Sequence, residues 1–207
     1  MKDLESYKVI FWDFDGVILD SMSVRDQGFI EVLKEYPDNQ VDKLLEFHRA
    51  NGGLSRYVKF RYFFENILGE SISESEVNGL AQQFSVIMKS ILSNPELLIK
   101  DSVQFIADNY SNYSMHIVSG SDGEELRYLC EQLKIDHYFL TIEGSPTAKI
   151  ELVKNILETY MYEKNDCVLI GDSKNDYDAA KMNTIDFAGY NNEELRLLHS
   201  SYIEKFR

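Results

Sequence analysis

The spacing of apolar residues changes twice along the chain, and each change marks off a part of it. The first part is a continuous apolar run, Val9-Ile10-Phe11-Trp12. It is too short, too β-branched and too aromatic for a lone helix, so it predicts a strand buried on both faces. From Ser21 the spacing turns helical. Val24, Phe29, Val32 and Leu33 predict one helix, ended by Pro37. Leu44, Leu45, Phe47 and His48 predict a second, ended by Asn51-Gly52-Gly53. Tyr57, Phe60, Phe64, Ile67 and Leu68 predict a third, closed by Gly69. Ser73-Glu74-Ser75-Glu76 has the form of a capping box and predicts a fourth, running to about Leu92.

From Lys100 strands and helices alternate. Helices are predicted around Val103, Ile106 and Ala107, from Asp122 to Leu133, from Lys149 to Met161 and from Asp176 to Met182. Strands are predicted at Met115–Val118, Tyr138–Ile142, Cys167–Ile170 and Ile185–Ala188. Such alternation implies a parallel sheet with helices on both faces, a doubly wound α/β fold. The segment from Asn191 to Arg207 reads as a terminal helix without a visible site. The predicted organisation is an α/β core from residues 1–20 and 95–207. A helical block, residues 21–94, is inserted after the first strand.

Composition narrows the function classes. The chain has 207 residues, enough for a sizeable core, and only three prolines, with no low-complexity tract. Its two cysteines, Cys130 and Cys167, lack ligand spacing, and Cys167 lies in an apolar run, which fits a buried thiol in a reducing compartment. The start of the chain lacks an apolar leader, and no run reaches membrane-spanning length, so a cytoplasmic protein is expected. The formal net charge of −14 repels nucleic acid and anionic membranes. It repels phosphate esters too, so a phosphorylated substrate would need positive charge concentrated locally.

The candidate chemistry begins where the first strand stops. Asp13 and Asp15 stand there with one residue between them, followed by Gly16. Two carboxylates at the mouth of a buried strand repel each other and pay for partial burial. No Lys or Arg stands in this stretch to relieve them, and a divalent cation would. A second strand leads into Ser119-Gly120-Ser121-Asp122-Gly123, a hydroxyl with glycine-flanked N–H groups, which fits either a phosphate cradle or a plain helix N-cap. Lys149 stands at a helix start, where the dipole disfavours a cation. Val168-Leu169-Ile170-Gly171 leads into Asp172-Ser173-Lys174-Asn175-Asp176, again carboxylates at a strand end. In an open sheet these strand ends converge on one edge.

Asp13-x-Asp15-Gly16-Val17-Ile18-x-Asp20-Ser21 resembles the first motif of the haloacid dehalogenase superfamily, in its phosphatase and phosphomutase branch. Ser119, Lys149 and the Gly171-Asp172-x-x-x-Asp176 pattern resemble the other three motifs, in order, and the helical block stands where the family's C1-type cap belongs. The resemblance implies that Asp13 is the nucleophile and Asp15 the general acid/base. Ser119 and Gly120 would bind phosphate, and Lys149 would hold nucleophile and phosphate together. Asp13, the Asp15 carbonyl and Asp172 would bind Mg²⁺, with Asp176 orienting its waters. Dehalogenases of the superfamily lack the second Asp, so the implied reaction is hydrolysis of a small phosphorylated metabolite. A sugar phosphomutase of the β-phosphoglucomutase type carries the same motifs. A phospho-acceptor or binding module is the reading from another class. A monomer or homodimer is expected.

In such relatives a cap loop contacts the substrate beyond the phosphate. Here the link between the second and third helices carries Arg49, Asn51, Gly52, Gly53 and Arg56, so Arg49, Asn51 and Arg56 are the expected cap contacts. An ordinary helix–turn–helix with solvated arginines is the competing reading. His48, His116, His137 and His199 show no ligand spacing, and core or surface roles are expected for at least three of them.

Overall fold

A computed structural model of the chain describes residues 4–198 and 201–206. Six parallel strands form one sheet in the order β3-β2-β1-β4-β5-β6. They are β1 (Val9–Trp12), β2 (Ser114–Asp122), β3 (Thr141–Ser145), β4 (Cys167–Gly171), β5 (Asp186–Tyr190) and β6 (Ser201–Ile203). The first strand lies at the centre and is buried along its whole length. Ile10 and Trp12 face one apolar layer with Met115, Ile117, Val168 and Ile170. Val9 and Phe11 face the other, with Val118, Leu169 and Phe187. That two-sided burial explains why β1 reads as an unbroken apolar run and not as an alternation.

Helices α1 (Met22–Val32), α2 (Asp38–Ala50), α3 (Arg56–Tyr62) and α4 (Glu74–Leu92) follow β1. Pro37 does not end the first helix, which stops at Leu33; it caps the second. The third helix continues as one π-helical stretch, Phe63–Leu68, and ends on left-handed Gly69. The capping box of α4 is formed, with Ser73 and Glu76 bonding each other's backbone N–H groups. Phe29, Phe60 and Phe84 pack together as the apolar centre of these helices. The chain leaves and re-enters the sheet through one narrow neck. There the Asp20 N–H donates to the Leu97 carbonyl at 2.8 Å and the Ile99 N–H to the Ile18 carbonyl at 2.9 Å.

The rest alternates as expected, with α5 (Lys100–Asn109), α6 (Gly123–Gln132), α7 (Lys149–Tyr160) and α8 (Lys174–Asn183). Three predicted elements shift. The second strand runs on to Asp122, with an irregular register against β3 between Val118 and Asp122. The third begins at Thr141, because residues 136–138 form a 3₁₀ turn and the edge strand is only half buried. The terminal helix does not form: Glu193–Leu198 is a 3₁₀ turn and Ser201–Ile203 is a sixth strand beside β5. Cys130 and Cys167 are buried free thiols. No helix among the described residues is long and apolar enough to cross a membrane.

Candidate active site

The sheet reverses its winding between β1 and β4, and the carboxyl ends of these neighbours open a crevice. Asp13 follows β1 there, and Asp172 follows β4. Asp13 is 3 % exposed. Its Oδ1 accepts from the Phe14 N–H at 2.8 Å and meets Lys149 Nζ at 2.7 Å. Oδ2 takes part in neither contact. Lys149 reaches in from the start of α7, buried, and also pairs with Asp176. Burial alone would lower its pKa. The charges of Asp13 and Asp176 outweigh burial and raise its pKa, so it is a fixed ammonium.

One ligand atom each from Asp13, Asp172 and Asp176 fall within 4.8 Å of one another. Burial, and next the charge of Asp176, push the Asp13 carboxyl well above the ordinary range against the pull of Lys149. The same causes, in the same order, push Asp172 up to about 7. Three carboxylates therefore share a single ammonium in a site too dry to screen them. That is a donor set for a hard divalent cation, and the residues fit Mg²⁺. Gly16 makes the approach possible. Its φ is +76°, and a Cβ there would stand 2.0 Å from Asp172 Oδ2.

The C-terminal segment holds these loops in place, a role its sequence did not signal. Asn191 donates to the Gly16 carbonyl at 2.9 Å and Asn192 to the Asp172 carbonyl at 2.7 Å. Ser173 and Asp176 form a capping box at the head of α8, so Asp176 both bonds Lys149 and fixes the helix behind the site. Ser119 is buried, and its Oγ accepts from the Ser121 N–H at 3.1 Å, leaving its hydroxyl proton to give. Gly120 has a packing reason to be glycine. A Cβ there would meet the Gly53 carbonyl at 2.3 Å, because the Gly52-Gly53 loop of the helical block lies directly on it. The Gly53 carbonyl also accepts from Asn175 Nδ2 at 2.8 Å.

Asp15 turns the other way. Its carboxylate accepts from Arg25 Nε at 2.7 Å, from Ser121 Oγ at 2.5 Å and from Ser21 Oγ. Burial works to raise its pKa, but Arg25 and the two hydroxyls outweigh it and hold the group below the usual carboxylate range. Arg25 is the cation that the strand-end sequence Asp13–Gly16 lacks; it comes from α1, one turn beyond Ser21. Its Nη1 also donates to Glu125 at 3.2 Å. Glu125, fully buried on α6, takes both Nη groups of Arg56, at 2.6 and 2.8 Å.

Asp15, Arg25, His48, Arg56, Lys59 and Gly120 help line a small pocket of about 20 Å³ between the helical block and the sheet. Of the three expected cap contacts, only Arg56 lines it. Arg49 is 59 % exposed at its side chain, bonds Asp26, and borders a neighbouring cleft beside Asp172. Asn51 donates to the Phe47 carbonyl at 2.9 Å. Lys59, which no motif singles out, and His48, for which a core or surface role is expected, both line the pocket. Lys59 stands three residues after Arg56 on one helix face, which is the only trace the sequence offers. His116 belongs to the core and His137 to the surface. His199 lies outside the described residues.

The family model for haloacid dehalogenase-like hydrolases matches residues 9–190. No curated protein matches the chain. Among solved structures, β-phosphoglucomutase from Clostridium difficile is similar at 17 % identity and TM-score 0.78, over 96 % of this chain and 91 % of that one. CbbY from Rhodobacter sphaeroides, in complex with phosphate, is similar at 12 % identity and TM-score 0.77, over 97 % and 95 %. A predicted phosphatase from Clostridium acetobutylicum is similar at 16 % identity and TM-score 0.73, over 95 % and 93 %. At such identities these structures speak for the fold alone. The family model covers most of the chain, including the strand-end aspartates. This chain belongs to the haloacid dehalogenase-like hydrolases.

Proposed function

We propose that the chain is a Mg²⁺-dependent phosphomonoester hydrolase acting on a small phosphorylated metabolite. The observation that carries this reading is the buried carboxylate Asp13, held on one oxygen by Lys149 beside Asp172 and Asp176. Asp13 attacks phosphorus with its second oxygen and forms an aspartyl phosphate, while the phosphorus–oxygen bond of the ester breaks. Lys149 and the Ser119 hydroxyl stabilise the phosphoryl oxygens. Asp15 is ionised where Arg25 and the two hydroxyls hold it. To protonate the departing alcohol it first releases Arg25 and takes up a proton from solvent, and as a carboxylate it then takes one from the water that splits the intermediate and regenerates Asp13. Asp13 and Asp172, with the Asp15 carbonyl, would hold the Mg²⁺, and Asp176 would order its waters. When bound, the ion neutralises phosphoryl and carboxylate charge that a single Lys cannot.

The small pocket under the Gly52-Gly53 loop, with room for about one water, supports a second reading. A site that excludes bulk water suits return of the phosphoryl group to a sugar hydroxyl, as in a phosphomutase. Both readings are of a cytoplasmic enzyme, monomeric or homodimeric. The test is a screen of phosphate esters with Mg²⁺, reading released phosphate and, for sugar phosphates, new isomers. Phosphate release marks the hydrolase and isomer formation the mutase. Stable phosphorylation without turnover would mark a phospho-acceptor module and overturn both.

A further inference from the structure

The acidic cluster draws its side chains from loops that lie beyond the end of the sheet. The pairing of β1 with β4 ends at Trp12 and Ile170, where the Asp13 N–H donates to the Ile170 carbonyl at 2.9 Å. Asp13 to Gly16 and Asp172 follow that last rung, and the carboxylates of Asp13, Asp172 and Asp176 repel each other. Repulsion works to spread the loops. A small hard cation demands its oxygens at nearly fixed spacing, so it binds best where they are already held together. The loops stay in contact all the same, since a Cβ on Gly16 would overlap Asp172 Oδ2.

The end of β5 supplies the restraint. Two consecutive residues take one loop each: Asn191 Nδ2 donates to the Gly16 carbonyl at 2.9 Å and Asn192 Nδ2 to the Asp172 carbonyl at 2.7 Å. Asn191 stands at φ +55°, a left-handed backbone that Asn adopts more readily than most residues. Asn192 is fixed from its other end. Its Oδ1 accepts from the Glu194 N–H at 3.1 Å, and its carbonyl accepts from the Leu195 N–H at 3.2 Å. With Oδ1 committed, Nδ2 is the end left to meet the Asp172 carbonyl. Leu195 is buried and packs on Gly189 of β5, which anchors this turn in the core. Neutral amides suit the task. A carboxylate here would add to the negative excess, and an ammonium would compete with the cation.

We infer that Asn191 and Asn192 are positioning residues of the metal centre. They hold the Gly16 and Asp172 carbonyls, and so keep Asp13, the Asp15 carbonyl and Asp172 spaced for one Mg²⁺. This inference rests on the proposed Mg²⁺ site. The two amides act through the loops and set how tightly the ion binds, not how fast the loaded site reacts. Asn192 is half-buried and Asn191 exposed, so Asn192 carries the larger share.

The test is calorimetric titration of Mg²⁺ into metal-free wild type, Asn192→Ser and Asn191→Gly. Each variant keeps its local backbone role and loses only the reach to a loop. Serine can still accept from the Glu194 N–H, and glycine adopts the left-handed turn without strain. Asn192→Ser should raise the Mg²⁺ Kd by about 10-fold, the low end for groups that orient metal ligands. Asn191→Gly should raise it less, because water competes for an exposed amide. The Mg²⁺ concentration for half-maximal phosphate release should shift by the same factors, while saturating Mg²⁺ returns kcat and the ester KM to near wild type. Asn109→Ala, which loses a bond to the Phe105 carbonyl on α5, should leave the Kd unchanged. A lower melting temperature in chelator with an unchanged Mg²⁺ Kd would mean a purely structural role and overturn the inference. So would a kcat loss that saturating Mg²⁺ does not restore. If no ester is turned over but the Kd shifts, the hydrolase reading fails and the inference stands. Wild type that binds no Mg²⁺ would overturn both. Asn191→Gly decides the matter if Asn192→Ser does not fold.

Discussion

Two buried charge clusters lie on either side of Asp15, and they are out of balance in opposite senses. Behind Asp15, at the ends of β1 and β4, three carboxylates share Lys149. In front of it, under the helical block, Arg25 and Arg56 share Asp15 and Glu125, and Lys59 lies beside them bonded only to the Gly52 carbonyl among the described residues. Neither arrangement is a stable resting place for charge in a low-dielectric interior. The first asks for a cation and the second for an anion. On the proposed function, a phosphate ester bound with a divalent cation would supply both, with Asp15 at the junction between the two clusters.

The largest effect on stability should come from removing the lone cation of the first cluster. Lys149→Met leaves the buried carboxylates of Asp13 and Asp176 without their cation, beside Asp172, and should cost about 3–5 kcal/mol in metal-free protein. Denaturant unfolding with and without Mg²⁺ checks it. The ion should restore much of the loss, up to about 2.7 kcal/mol when present at 100 times its Kd. A loss that Mg²⁺ leaves untouched would break the comparison.

The mirror experiment is Glu125→Gln, which leaves the Arg56 and Arg25 guanidiniums short of an acceptor. The expected cost is about 1–3 kcal/mol. Here Mg²⁺ should not help, whereas inorganic phosphate should raise the melting temperature more than it does for wild type. Rescue by the cation would show that the clusters are not distinct.

A smaller effect is the pH dependence contributed by Asp172. Its folded pKa, about 7, lies above the ordinary 3.8. Between those values the folded chain holds a proton that the unfolded chain has lost. Stability from this group is therefore present below about pH 4 and is lost as pH rises toward 7, by up to about 1.4 kcal/mol per pH unit. The lowered pKa values of His48 and His116 act in the opposite sense in the acid part of that window. The measurement is thus the difference between wild type and Asp172→Asn in chelator, followed from pH 4 to 7. Wild type should lose stability relative to the variant as pH rises. A flat difference would mean that the carboxylate is not strained.

The two clusters also differ in how far the sequence revealed them. Asp13, Asp15, Ser119, Lys149 and Asp172 could be named because each stands at a strand end or helix start, where local spacing fixes position. Arg25, Lys59 and Glu125 could not. Each is a charged residue inside a helix, and such residues ordinarily face water. Only the docking of that helical block onto α6 turns them inward, and no local pattern reports docking. The same limit explains Arg49, which reads like Arg56 in the loop sequence but ends on the surface with Asp26. The sixth strand was hidden for another reason. Leu195, Leu197 and Leu198 space like a helix, and three residues are too few for an alternation to register.

The most direct measurement is release of phosphate from a responsive ester by wild-type protein and by Asp13→Asn, each with Mg²⁺ and with excess chelator. The account predicts turnover only for wild type with Mg²⁺, and a loss of at least about 10³-fold in the folded variant, since an amide cannot attack phosphorus. Near-normal release by Asp13→Asn, or full activity of wild type in chelator, would contradict it.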